Sequence, residues 1–300
     1  MPGIFLHVGL HKTATTYFQE AVWPRWSAVH YAGNKKNTPK ESLDSIISRS
    51  KEKCVIRSSE SMSGSLKRSY LKGGDWLGES FLSLDKLRSS FPAGSVSGVI
   101  VSLRRHDHWA LSIYKHYLKY GGVDKPEEFF GIGGCSDATM PLKHLLVMPR
   151  LKKIEEALGV RPFCFFIEEV VSRPDKLSKE IASYLDTDVP PVFPDEFYNE
   201  GMNNLQASVC RVVNRLFLNK GCEGNGHIEN NGYTGYLFAQ RLKRIGSLGI
   251  NAPLRLSDTV LGEINNECRK DLKMILEYIS VTRGFTHEIR DSIDSTGFLN

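Results

Sequence analysis

No apolar run in this 300-residue chain approaches the ~18 residues that span a bilayer. The first strand-like segment begins within three residues of Met1, which leaves no room for the charged and apolar regions of a secretory leader. The expectation is a soluble, cytoplasmic protein with no membrane span. Cysteine is sparse and scattered: Cys54, Cys135, Cys164, Cys210, Cys222 and Cys268 include no C-x-x-C pair, which argues against a zinc site or a disulfide framework. Cys54 and Cys164 fall inside apolar runs and read as buried free thiols. His30, His144 and His287 lack a partner at ligand spacing and read as structural or surface residues, so no metal is expected. Internal repeats and low-complexity tracts are missing too. The net charge of +5 suits an anionic ligand but is too modest to argue for nucleic acid.

What is present is enough apolar material, 41% of residues, for one large core, so a single domain spanning 1–300 is expected. Strand-like runs alternate with helical stretches, the pattern of an α/β fold with a mostly parallel sheet. The densest chemistry lies near the start. Ile4–Val8 reads as a buried strand and Thr16 to Ala28 as a helix, with His7-Val8-Gly9-Leu10-His11-Lys12-Thr13-Ala14-Thr15-Thr16 bridging the two. A strand, a loop and a helix N-terminus aim backbone N–H groups and the positive end of a helix dipole at the loop, so a phosphate or sulfate is its natural occupant. The loop is not a Walker A sequence: only two residues separate Gly9 from Lys12, and no glycine precedes the lysine.

A second segment has the same form. Ser95–Leu103 is an apolar, β-branched run, followed at once by Arg104-Arg105-His106 and, eight residues after Arg104, by Ser112 on the next helix. Arginine offers a planar fork of donors to a phosphate, and a helical serine adds a hydroxyl from another side. Between the two, Lys53–Arg57 reads as a strand with Ser58-Ser59-Glu60 at its carboxyl end, where Glu60 should face the same crevice as Lys12 and Arg104.

Taken together, H-x-G-x-x-K-T-A-T-T with Gln19, and Arg104 with Ser112, resemble the 5'-phosphosulfate and 3'-phosphate motifs of sulfotransferases, whose donor is 3'-phosphoadenosine 5'-phosphosulfate (PAPS). The arginine, asparagine, proline opening usual in the second motif is replaced here by Arg104-Arg105-His106. The resemblance implies a P-loop-like three-layer α/β/α fold. It also implies donor binding by His11, Lys12, Thr13, Ala14, Thr15, Thr16, Arg104 and Ser112, with 3'-phosphoadenosine 5'-phosphate (PAP) as product. In that family a glutamate or histidine at the end of the corresponding strand takes the acceptor's proton, which implies Glu60 as base and Lys12 as the group meeting charge on the leaving oxygen. An ordinary carboxylate is a weak base at neutral pH, so this role calls for burial that raises its pKa. His106 and His108 are rivals for the role, ranked lower because they sit between the 3'-phosphate residues. The implied acceptor is a hydroxyl or amine of a carbohydrate or other small molecule.

The resemblance runs in segment order from about residue 4 to 185. Trp109–Tyr120 and Leu142–Leu158 read as helices, 123–140 as a weakly ordered loop, Arg161–Glu169 as a strand and Lys176–Leu185 as a helix; Glu168 reads as a structural ion-pair partner. Beyond the extended Pro190–Pro194 the chain (195–300) is more helical and loop-rich, with helices at Gln206–Leu218 and near Thr259–Ile279 and a glycine-rich loop at 220–236 that is a candidate acceptor lid. Two other classes stay open: a P-loop-type kinase or NTPase, which needs a magnesium-binding acid that the sequence does not display, and a non-catalytic nucleotide-binding module, which has no use for Glu60.

Overall fold

The computed structural model describes residues 3–33, 54–72, 75–91, 94–134, 137–195, 202–218, 237, 253–284, 289 and 291. Its centre is a sheet of five parallel strands, β1 (Gly3–Val8), β2 (Val29–Tyr31), β3 (Cys54–Ser59), β4 (Val96–Leu103) and β5 (Phe163–Phe166), in the order β2-β3-β1-β4-β5. Strands buried on both faces read as continuous apolar runs, which is how β1 and β4 appear in the sequence. Side chains alternate between the faces. Ile4, Leu6, Val8, Val99, Val101 and Leu103 join one core, while Phe5, Ile56, Ile100, Phe163 and Phe165 join the other.

Helices cover both faces, so the fold is α/β with a three-layer α/β/α arrangement. The helices in chain order are α1 (Thr15–Tyr17), α2 (Leu66–Lys72), α3 (Trp76–Ser89), α4 (His106–Lys119), α5 (Pro126–Phe130), α6 (Met148–Leu158), α7 (Glu169–Ser172), α8 (Pro174–Tyr184), α9 (Asn204–Leu218) and α10 (Asp258–Arg283). Residues of α3, α4, α6 and α10 pack into the first core, and those of the α1 region and α8 into the second. α10 thus belongs to the same core as β1, through Val260, Ile264, Cys268, Leu272 and Ile275. Among the described residues no helix is long and apolar enough to cross a membrane.

Several elements differ from the sequence reading, each for a local reason. The helix after the first loop starts at Thr15, passes through a π turn (Phe18–Val22) and a 3-10 turn (Trp23–Arg25) containing Pro24, and stops short of Ala28. The edge strand β2 was not anticipated, because three residues carry no readable alternation. The 142–158 helix is two pieces, a 3-10 turn (Leu142–Leu145) and α6, since Pro149 has no N–H and is tolerated only in a helix's first turn. The 123–140 stretch, read as a loop, contains α5, which drives Phe129 and Phe130 into the core, with Met140 buried in the same core. Cys54 and Cys164 are both buried, as expected.

Candidate functional site

In an open parallel sheet, ligands bind beyond the carboxyl ends of the strands where the strand order reverses. Here β1 is flanked by β3 on one side and β4 on the other, so the reversal lies at the end of β1. The three sequence segments emerge from these neighbours: the 9–14 loop from β1, Glu60 from β3 and Arg104 from β4. The sheet therefore brings Lys12, Glu60 and Arg104 to one crevice.

The loop is tightly built. Gly9 has no side chain because Thr15 occupies the space: a Cβ on Gly9 would lie 2.1 Å from Thr15 Oγ1. Thr15 is buried, and its hydroxyl has no hydrogen-bond partner among the described residues. Lys12 and Ala14 adopt left-handed φ values of 69° and 61°, a conformation that costs non-glycine residues about 1–3 kcal/mol each and is typical of ligand-binding loops. The loop is clamped from outside by Trp109 of α4, whose indole donates to the His11 carbonyl at 2.7 Å, and by the Ser63 hydroxyl, which donates to the Gly9 carbonyl at 2.7 Å. The loop residues do not all face the crevice. Thr13 is buried, donates through its hydroxyl to the Leu10 carbonyl at 2.6 Å and lies 3.1 Å from Ser102 Oγ, so it staples the loop to the core. Thr16 is half-buried and makes no hydrogen bond through its side chain.

Beneath the loop runs a buried polar chain that the sequence reading did not identify. The Trp23 indole can only donate, so His7 Nδ1, 3.2 Å away, must accept, which leaves the ring proton on Nε2 facing Ser102 Oγ at 3.3 Å. Burial pushes the His7 pKa down to about 3, so the ring is neutral. Gln19 donates to Ser58, and Ser58 Oγ lies 2.8 Å from His7 Nδ1, which ties the helix after the loop to the same chain.

The crevice is positive. Burial lowers the Lys12 pKa, and Lys119 and Arg104 lower it further against the opposing pull of Glu60. Burial also lowers the Arg104 pKa, partly offset by Glu168 and Asp107, and its Nε is buried without a partner among the described residues while Nη1 donates to the Lys12 carbonyl at 3.4 Å. Lys115 is lowered by burial and by Arg104, and burial together with Lys12, His11 and Lys119 holds His116 neutral. Ser112, Lys115, His116 and Lys119 stand at helical spacing on α4, and the half-buried Ser112 side chain makes no hydrogen bond to a described residue. That spacing was the available signal for the two additional lysines.

Glu60 departs from expectation. Burial, the largest single influence, pushes its pKa up, but the hydrogen bond and charge of His11 with the charge of Lys12 outweigh it, and the net shift is downward. His11 Nε2 lies 2.9 Å from the Gly64 carbonyl and Nδ1 lies 3.3 Å from Glu60 Oε2. The Gly64 carbonyl can only accept, and so can an ionised Glu60, so each His11 ring nitrogen faces an acceptor. His11 is therefore turned toward Glu60 and not outward. The rival histidines point elsewhere: His106 is buried against Asp271 of α10 at 3.0 Å, and His108 pairs with Glu168 at 3.2 Å. Glu168 accepts from the Arg105 backbone N–H at 3.3 Å and lies beside His108, and so has structural partners at the start of α4. Arg105 turns back to Asp107 and is buried.

The candidate lid at 220–236 lies outside the described residues, as do Cys135, Cys222 and His287. Among the described residues no three His, Cys, Asp or Glu side chains are grouped to hold a metal. Compared with family models, curated proteins and solved structures, the chain matches none.

Proposed function

We propose that this chain is a PAPS-dependent sulfotransferase acting on a hydroxyl or amine of a small-molecule or carbohydrate acceptor. The observation that carries the reading is the pair of orphaned buried donors at the sheet's reversal point, Thr15 Oγ1 and Arg104 Nε, amid Lys12, Lys115 and Lys119. Buried donors left unpaired cost about 1–3 kcal/mol each, a cost that bound oxyanions relieve. One cluster follows β1 and the other follows β4, which suits a ligand with two separated anionic groups such as a 5'-phosphosulfate and a 3'-phosphate.

PAPS, when bound, supplies an activated sulfuryl group. Thr15, the first N–H groups of the helical run from Thr15 and the Lys12 ammonium hold the 5' end, and Arg104 with Ser112 and the α4 lysines hold the 3'-phosphate. Lys12 stabilises charge on the leaving oxygen. Thr13 serves through its staple to Leu10 and Ser102, keeping the loop in its strained shape. Glu60 Oε1 takes the acceptor proton, while Oε2 stays with His11. A weak base suffices if the proton leaves late, from an oxygen already acidified by bonding to sulfur.

The test is thermal stabilisation by PAP, AMP and ATP with magnesium. At 100 times its dissociation constant a ligand adds about 2.7 kcal/mol. PAP should stabilise far more than AMP, which lacks the 3'-phosphate. Equal shifts would remove Arg104 and Ser112 from the reading, and a response to ATP with magnesium alone would replace it with a kinase or NTPase. Labelled-sulfate transfer separates an enzyme from a non-catalytic nucleotide-binding module.

A further inference from the structure

A cleft of about 230 Å³ lies between the end of β3 and α3. It arises because β2 pairs with β3 only through Tyr31↔Ile56, so Arg57, Ser58 and Ser59 extend past the edge strand. Arg57 sits opposite Leu6 on β1 and so projects to the face covered by α3. Arg57 and Lys86 of α3 both line the cleft; among the described residues neither has an ion-pair partner and no Asp or Glu lines it. The floor is apolar, with Met62 and Phe91 almost wholly buried. Ser59 and Ser61, which flank Glu60 in the chain, also line the cleft, and their hydroxyls lie 2.7 Å apart, so the backbone that carries the proposed base borders the cleft.

We propose that this cleft is the acceptor subsite and that it takes one anionic sugar ring, bearing a carboxylate or a sulfate. The inference rests on the sulfotransferase reading and adds the acceptor class to it. An apolar floor accepts the C–H face of a ring, serines meet its hydroxyls, and the cations of Arg57 and Lys86 recognise its acid group. The volume falls below the ~300–1,000 Å³ of pockets that enclose a whole drug-sized ligand, so one ring enters and any remaining chain lies outside.

The experiment titrates the full chain, saturated with PAP, with three disaccharides of equal length: one containing glucuronate, one O-sulfated and one neutral. Binding of either acidic sugar about tenfold or more tighter than the neutral one is expected, as is a loss of about tenfold or more in Arg57→Ala and in Lys86→Ala. Lys179→Ala, an exposed lysine of α8 in the other helix layer, controls for general charge and should bind like the parent. Unchanged PAP affinity in each variant shows that the fold and donor site survive. If PAP binds but the neutral sugar matches the acidic ones, or if Arg57→Ala and Lys86→Ala bind them undiminished, the subsite is wrong while the donor reading stands. If PAP fails to bind, the donor reading falls, and the acceptor role falls with it even where acidic sugars still bind through Arg57.

Discussion

Thr15→Ala should separate binding from stability. The Thr15 hydroxyl is buried without a partner, and Gly9 is held to a bare Cα by its presence 2.1 Å from where a Cβ would be. Deleting an unpaired buried hydroxyl relieves about 1–3 kcal/mol, and deleting the accompanying methyl costs about 1 kcal/mol plus whatever cavity remains. These nearly cancel. The free protein should melt within about 4 °C of the parent, although a buried residue has been truncated. In the complex the same hydroxyl donates to a charged oxygen, a bond of about 1.5–3 kcal/mol, so PAP affinity should fall roughly 10- to 150-fold. Thr15→Ser, which keeps the donor, should retain most of the affinity. Calorimetric titration with PAP alongside thermal melts reads both quantities. A Thr15→Ala protein that melts roughly 10 °C lower and binds PAP normally would show that the hydroxyl supports the fold and does not bind the ligand.

Lys12→Ala should lower the transfer rate by ~10² or more without lowering the melting temperature, because burial of the ammonium, with repulsion from Lys119 and Arg104, outweighs its attraction to Glu60; sulfate-transfer kinetics and melts check this. Glu60→Gln should depress the rate by ~10² to 10⁴ with PAP affinity intact, which single-turnover assays would show. In the parent the acid limb of the rate profile should fall below the ordinary carboxylate range, and in His11→Phe, where burial acts unopposed by the imidazole, it should move to higher pH. His7 has a folded pKa of about 3, depressed from 6.5, so its contribution to stability is complete above pH 6.5 and is lost as pH falls toward 3. That loss amounts to about 2 kcal/mol between pH 6.5 and 5, and denaturant titrations should show a shallower pH dependence in His7→Gln.

The sequence alone determined the parts whose signal is local. The apolar runs of β1 and β4, the glycine and threonines between β1 and the first helix, and the Arg104-to-Ser112 spacing are all readable within about a dozen residues, because strand burial and helix periodicity leave their mark at that range. Their order along the chain also pointed to a parallel sheet with the three segments at one edge. Three-residue β2 and the split at Pro149 escaped because too few residues carry either pattern. What only the tertiary structure decided is the fate of individual polar atoms. Thr13 and Thr15 are equivalent hydroxyls in the sequence, yet packing against Leu10 and Ser102 consumes one and leaves the other orphaned. The proton affinity of Glu60 likewise depended on His11, which is 49 positions away and becomes its neighbour only because β3 pairs with β1. Burial favours the neutral carboxyl and a close cation favours the charged one, so the sign of the shift follows from distances that arise only once the sheet has formed.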